Sequence, residues 1–65
     1  MKLVVNGAEH EVAAATLAAL LDALDYQSAA VATALNGEFV PKHKRGQASL
    51  REGDRVEIVA PRQGG

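Results

Sequence analysis

The stretch Met1-Lys2-Leu3-Val4-Val5-Asn6-Gly7-Ala8-Glu9-His10-Glu11-Val12 decides the fold. Met1, Leu3 and Val5 alternate with Lys2, Val4 and Asn6, and in an extended chain that alternation sends the two sets to opposite sides. Asn6-Gly7 is the dipeptide that best tolerates the positive φ angles of a type I′ turn, so the chain is expected to return as a second strand over Ala8 to Val12. In that return Glu9 and Glu11 alternate with Ala8, His10 and Val12, the pattern of one solvated and one covered face. The reading is an N-terminal hairpin whose apolar face needs a cover.

The cover comes next. Thr16 can cap the free N–H groups of a helix, and Leu17, Leu20, Leu21 and Leu24 follow at the i, i+3, i+4, i+7 spacing of one apolar stripe. Ala18, Ala19 and Ala23 add helix propensity. A helix of about nine residues is too short to be stable alone, so it is expected to lie across the sheet.

Beyond Tyr26, Gln27 and Ser28, the run Ala30 to Leu35 alternates Val31, Thr33 and Leu35 with Ala30, Ala32 and Ala34, a third strand. Asn36-Gly37 repeats the tight-turn signal, and Glu38, Phe39 and Val40 form a short fourth strand. Pro41 stops it; a residue with no N–H belongs at a sheet edge or a strand end. Lys42, His43, Lys44 and Arg45 are the only charge run and read as a solvated loop, with an acidic docking site on a partner as the sharper alternative. Leu50 is expected to be a buried anchor in a polar loop. Glu52-Gly53-Asp54 turns the chain into a last strand, where Val56, Ile58 and Ala60 point one way and Arg55, Glu57 and Val59 the other. After it come Pro61, Arg62, Gln63, Gly64 and Gly65.

The order is hairpin, helical crossover, then further strands. It predicts an α+β fold with a mixed sheet of four to five strands and one helix packed across one face, the first and last strands free to pair centrally. Residues 1–60 are expected to form the domain and 61–65 a flexible tail.

Composition excludes much. The chain has 65 residues and no cysteine, so disulfides, thiol nucleophiles and thiolate metal sites are ruled out and packing alone must hold a small core. Its 2 histidines, His10 and His43, are too few for a metal site without carboxylate help. Seven Lys and Arg against eight Asp and Glu leave a net charge of −1, which disfavours nucleic acid as a partner. Aromatic interleaving is also missing, with Tyr26 and Phe39 as the only aromatics. No apolar run approaches the roughly 20 residues of a membrane span, and no export signature precedes the first strand. The expected location is the cytoplasm. Without a nucleophile, paired acids or a pocket, the chain does not read as a free-standing enzyme, and no catalytic residue, metal ligand or bound cofactor is assigned to it. What it does offer is Gly64-Gly65: a backbone thin enough to thread a narrow channel, ending in an unhindered carboxylate that becomes an electrophile once acylated.

Taken together, the opening strand ending in Asn6-Gly7, the Thr16-Leu17 helix with Leu20 and Leu21, the segments Val31–Lys42 and Leu50–Val59, and terminal Gly64-Gly65 resemble the ThiS family, ubiquitin-like β-grasp sulfur carriers of thiamin biosynthesis. The resemblance covers nearly the whole chain. It implies a β-grasp fold and a co-substrate rather than a catalyst. In that reading a ThiF-like activating enzyme uses its own Mg-ATP to adenylate the Gly65 carboxyl, and sulfur from a persulfide donor protein converts it to a thiocarboxylate for thiazole synthase. Gly64, Gln63 and Arg62 would lie in the partner's channel. Docking would fall on the sheet face opposite the helix, at Val4, Arg55, Glu57 and Val59. Lys42 to Arg45 depart from the family, many of whose members have an aromatic a few residues after the proline. A MoaD-like carrier for molybdopterin or another thiolation pathway would use the same chemistry, and a β-grasp interaction module with an incidental tail would not need Gly65 at all.

Overall fold

The computed structural model describes residues 1–26 and 31–60. β1 (Lys2–Val5) and β2 (Ala8–Glu11) are joined by Asn6 and Gly7, at φ 50° and 83°. Both angles are positive, as a type I′ turn requires. The pairing runs Lys2 with Glu11, Leu3 with His10, Val4 with Glu9 and Val5 with Ala8. The covered side of β2 is thinner than its alternation suggests: Ala8 is exposed and His10 half-buried. An edge strand is not backed by a neighbour on its outer side.

α1 (Leu17–Ala23) is two residues shorter than the stripe predicts. Thr16 caps it, its Oγ1 accepting from the Ala19 amide at 3.2 Å. The end is set by Leu24 and Asp25. Asp25 has φ 66°, its N–H donates to the Asp22 carbonyl at 3.1 Å, and the Tyr26 N–H donates to the Leu21 carbonyl at 2.9 Å. This pair of bonds is a Schellman stop, here with aspartate in the left-handed position that glycine usually takes. Residues 27–30, including the expected strand start at Ala30, lie outside the described residues.

β3 (Ala32–Leu35) and β4 (Glu38–Val40) form a second hairpin around Asn36 and Gly37, with φ 51° and 88°. A 3₁₀ helix (Lys42–Gln47) follows, and β5 (Arg55–Val59) closes the sheet. Strand order is β2-β1-β5-β3-β4, with β5 parallel to β1 and antiparallel to β3. The expected mixed sheet therefore has five strands, its first and last adjacent near the centre, and β4 at an edge where Pro41 terminates it.

The core lies between the sheet and α1. Leu3, Leu17, Leu20 and Leu21 are fully buried, with Val5, Ala14, Leu50, Val56 and Ile58 nearly so. Leu24 and Tyr26 pack against this cluster. Leu50 anchors its loop as expected, because the chain around it is tied to the helix start: Leu17 N–H donates to Ala48 O and Leu50 N–H to Ala15 O, both at 2.9 Å.

The basic run requires a correction. Lys42, His43 and Lys44 are exposed, but Arg45 is buried, with 4% of its surface accessible. Its Nε donates to Thr33 Oγ1 at 3.0 Å and its Nη2 to the Val31 carbonyl at 2.6 Å, while Thr33 Oγ1 donates to the Val40 carbonyl at 2.8 Å. A guanidinium is the cation most easily buried, since its fixed donors can be matched to oxygens in the plane. Arg45 thus pins the 3₁₀ helix to β3, and the run is not one uniform solvated loop.

Candidate functional site

Two parts of the molecule carry the functional reading: the chain end, and the sheet face that α1 leaves open. Arg62, Gln63, Gly64 and Gly65 lie outside the described residues. What is described is their base. β5 ends at Val59, and it is the central strand of the five, held by β1 on one side and by β3 on the other.

The hold on β5 continues past the strand ends through two asparagine side chains. Asn6 Oδ1 accepts from the Ile58 N–H at 2.8 Å and Asn6 Nδ2 donates to the Ile58 carbonyl at 3.1 Å, so the amide side chain substitutes for one more residue of β1 in the ladder. On the other flank Asn36 Oδ1 accepts from the Arg55 N–H at 2.9 Å, and its own backbone N–H donates to the Arg55 carbonyl at 2.7 Å. Asn36 Nδ2 also donates to Asp54 Oδ1 at 3.0 Å, and the Asp54 carboxylate in turn receives the Arg51 N–H at 2.8 Å. The sequence marked both asparagines as turn formers only. Their second role depends on which strand each hairpin lands beside, and no local pattern encodes that.

On the open face the register places Glu9 beside Val4, Val4 beside Arg55, Glu57 beside Ala34, and Val59 beside Ala32. The four expected docking residues therefore share one face. Arg55, Glu57 and Val59 are exposed, Val59 at 63%, and Val4 is half-buried. The alternation Arg55, Glu57, Val59 against buried Val56 and Ile58 follows the predicted parity.

Phe39 belongs to the same face and was missed. It pairs with Ala34 and is 70% exposed, the most exposed large apolar residue described. The signal was available: a two-residue turn at Asn36-Gly37 sets Phe39 opposite Ala34, on the side away from Thr33 and Leu35. Ala32 and Ala34, being small, leave Val59 and Phe39 standing clear of the sheet.

Among the described residues, two open depressions flank the sheet. One, of about 260 Å³, is lined by Phe39, Val40, Pro41, Lys44, Gln47 and Ala48. The other, of about 310 Å³, is lined by Val5, Asn6, Ala8, His10, Leu24 and Tyr26. Neither gathers the nucleophile, base and oxyanion donors of a catalytic site. His10 lines the second and His43 is exposed on the 3₁₀ helix. No described helix is long and apolar enough to cross a membrane.

Comparison with known proteins agrees with this geometry. A thiamine biosynthesis protein (ThiS) from Geobacter metallireducens has a crystal structure that superposes with a TM-score of 0.83 at 33% identity, covering 100% of both chains. A solution structure of a thiamine biosynthesis protein from the same organism gives 0.82, again at 33% identity, covering 100% of this chain and 88% of that one. A thiazole synthase of Paramagnetospirillum magneticum is 46% identical over 61 residues, 92% of this chain. The chain spans 19% of that relative's length. The sequence profile of the ThiS family matches residues 3–65, a span that includes the glycine pair. With the β-grasp sheet, the single crossing helix and this match over nearly its whole length, the chain belongs to the ThiS family.

Proposed function

We propose that this protein is a sulfur carrier of thiamin biosynthesis that works as a co-substrate, with Gly65 as its one reacting residue. The observation that carries this reading is a family match running through Gly64-Gly65 in a molecule whose last strand, β5, is clamped on both flanks just before them. A reactive end on a firm base is what a carried group needs, because the partner's site must find it in one place.

The chemistry follows from the carboxylate. As an anion it is a poor electrophile, so the Gly65 carboxylate first attacks the α-phosphorus of ATP in a ThiF-like enzyme, and pyrophosphate leaves with the bond electrons. The partner's magnesium and cationic groups stabilise that charge; this chain supplies none of them. The terminal sulfur of a donor's persulfide then attacks the acyl carbon, AMP leaves, and a thiol cleaves the resulting S–S bond. One thiocarboxylate and one disulfide are the products, so electrons balance. Gly64 keeps the approach to the acyl carbon free of a side chain, with Gln63 and Arg62 behind it in the channel. Val4, Arg55, Glu57 and Val59 form the surface that seats the body on the partner. The 46% identity to part of a thiazole synthase supports thiazole formation, over molybdopterin synthesis, as the destination of the sulfur.

The test is intact-mass analysis after incubation with ATP, a cognate activating enzyme and a persulfide donor. The expected gain is one oxygen-to-sulfur exchange located at Gly65, absent after deletion of Gly65 and at least about 100-fold slower for Gly64→Val, the scale on which misplacing reacting atoms costs rate. Undiminished sulfur transfer in the deletion variant sinks the proposal. The reading requires Gly65 to close the chain, which the mass of the native protein checks.

A further inference from the structure

The basic run after β4 is not absorbed by the carrier chemistry, and the structure shows what its three exposed members accompany. Pro41 ends the edge strand and the 3₁₀ helix turns back at once, the Lys44 N–H donating to the Pro41 carbonyl at 2.9 Å. Phe39, Pro41 and Ala48 then wall the shallow groove of about 260 Å³, and Lys44 and Gln47 sit at it. This is below the roughly 300–1,000 Å³ that encloses a small molecule. It is open, apolar and suited to one inserted side chain.

Charge decides what else the occupant carries. Lys42, His43 and Lys44 are all exposed, and Lys44 lines the groove. Among the described residues the only ion pair joins the N-terminal ammonium to Glu11, so neither Lys42 nor Lys44 has a carboxylate within bridging distance there. β4 itself carries one exposed carboxylate, Glu38, while the exposed carboxylates Glu9 and Glu11 are on β2, the strand at the opposite edge of the sheet. With Lys42 and Lys44 set against Glu38, the β4 edge and the 3₁₀ helix after it keep an excess of positive charge beside an exposed aromatic ring. The buried Arg45 holds that loop to β3 through Thr33 and Val31, so the groove is pre-formed and little ordering is needed on binding.

We propose that this groove docks an acidic segment of a partner protein, one bulky apolar side chain seated between Phe39, Pro41 and Ala48 with flanking carboxylates facing Lys42 and Lys44. It is a second contact, beyond the seat for the tail, and independent of chemistry at Gly65. Rim charges of this kind act chiefly on association rate and on choice of partner.

The test uses the full chain, isotope-labelled, titrated with a capped peptide that carries Leu-Phe between Asp and Glu residues, and with a counterpart in which every acid is lysine. The acidic peptide is expected to give saturable shifts at the amides of Phe39, Lys44, Gln47 and Ala48, weakened about tenfold by Lys44→Glu and strongly by high salt. Phe39→Ala is expected to remove the saturation. Both side chains are exposed, so the remaining spectrum reports an intact fold. Equal response to both peptides, shifts on another surface, or a single-stranded oligonucleotide moving the same amides more strongly would each overturn the proposal. Sulfur loading measured by mass on the same samples separates the two readings: a protein that loads but ignores the acidic peptide refutes the groove alone, and one that binds it but does not load refutes the carrier alone.

Discussion

The β1–β2 and β3–β4 hairpins carry the same turn and lie on either side of β5, yet they hold that strand at different places and bury their inner faces by different means. β1 runs parallel to β5, so the asparagine after β1 reaches the far half of the strand and bonds Ile58. β3 runs antiparallel, so the asparagine after β3 reaches its beginning and bonds Arg55. One dipeptide becomes two clamps because strand direction differs. The inner faces diverge as well. The first hairpin buries Leu3 and Val5; the second buries Thr33, whose hydroxyl is satisfied by Val40 and Arg45. An apolar face gains from leaving water, whereas a polar one breaks even only when every donor and acceptor is matched.

The largest effects are expected where those faces are cut. Leu3→Ala should cost about 2–5 kcal/mol, and Arg45→Met about 1–3 kcal/mol for leaving the Val31 carbonyl and Thr33 hydroxyl short of a donor. Urea melts of both variants check the order; a larger loss at Arg45 would mean that the polar hairpin, not the apolar one, is the core's keystone. The clamps come next. Asn6→Gly and Asn36→Gly keep the positive φ and remove the side chain, so each reads its clamp together with a backbone contribution of a few tenths of a kcal/mol. Asn6→Gly should cost about 1–2 kcal/mol, because two partly buried bonds to Ile58 are lost, and Asn36→Gly about 0.5–1 kcal/mol at a more exposed site. Hydrogen exchange should speed at Ile58 in the first variant and at Arg55 in the second; the same amide responding in both would erase the distinction. The smallest effect calibrates the backbone. Asp25 sits at φ 66° with no clamp to lose, and Asp25→Gly should stabilise the protein by a few tenths of a kcal/mol, measured as a raised Tm.

Much of the architecture is legible in the sequence. Both Asn-Gly turns, the Thr16 cap, the leucine stripe, the edge position signalled by Pro41 and the parity of Arg55–Val59 are local signals, each set by the allowed φ angles or by the repeat of a helix or strand. The helix end was less legible, since aspartate at Asp25 takes a conformation usually announced by glycine. The open face was half read. Val4, Arg55, Glu57 and Val59 were placed by parity, and the same parity counted through the second turn would have placed Phe39. Arg45 was out of reach: its neighbours in sequence are exposed lysines and a histidine, and only a fold that brings Thr33 and the Val31 carbonyl to it makes burial tolerable.

By itself, then, the sequence determined the elements, their order and the face that each strand residue takes. Those features depend on neighbours a few residues apart. Tertiary structure alone decided that the two turn asparagines grip β5 at opposite ends, that one basic residue of the four is drawn inside, and that Phe39 and Lys44 meet at one groove. Each of those joins groups far apart in the chain, and whether a distant oxygen or N–H arrives within bonding reach is settled by strand direction and packing rather than by local conformational preference.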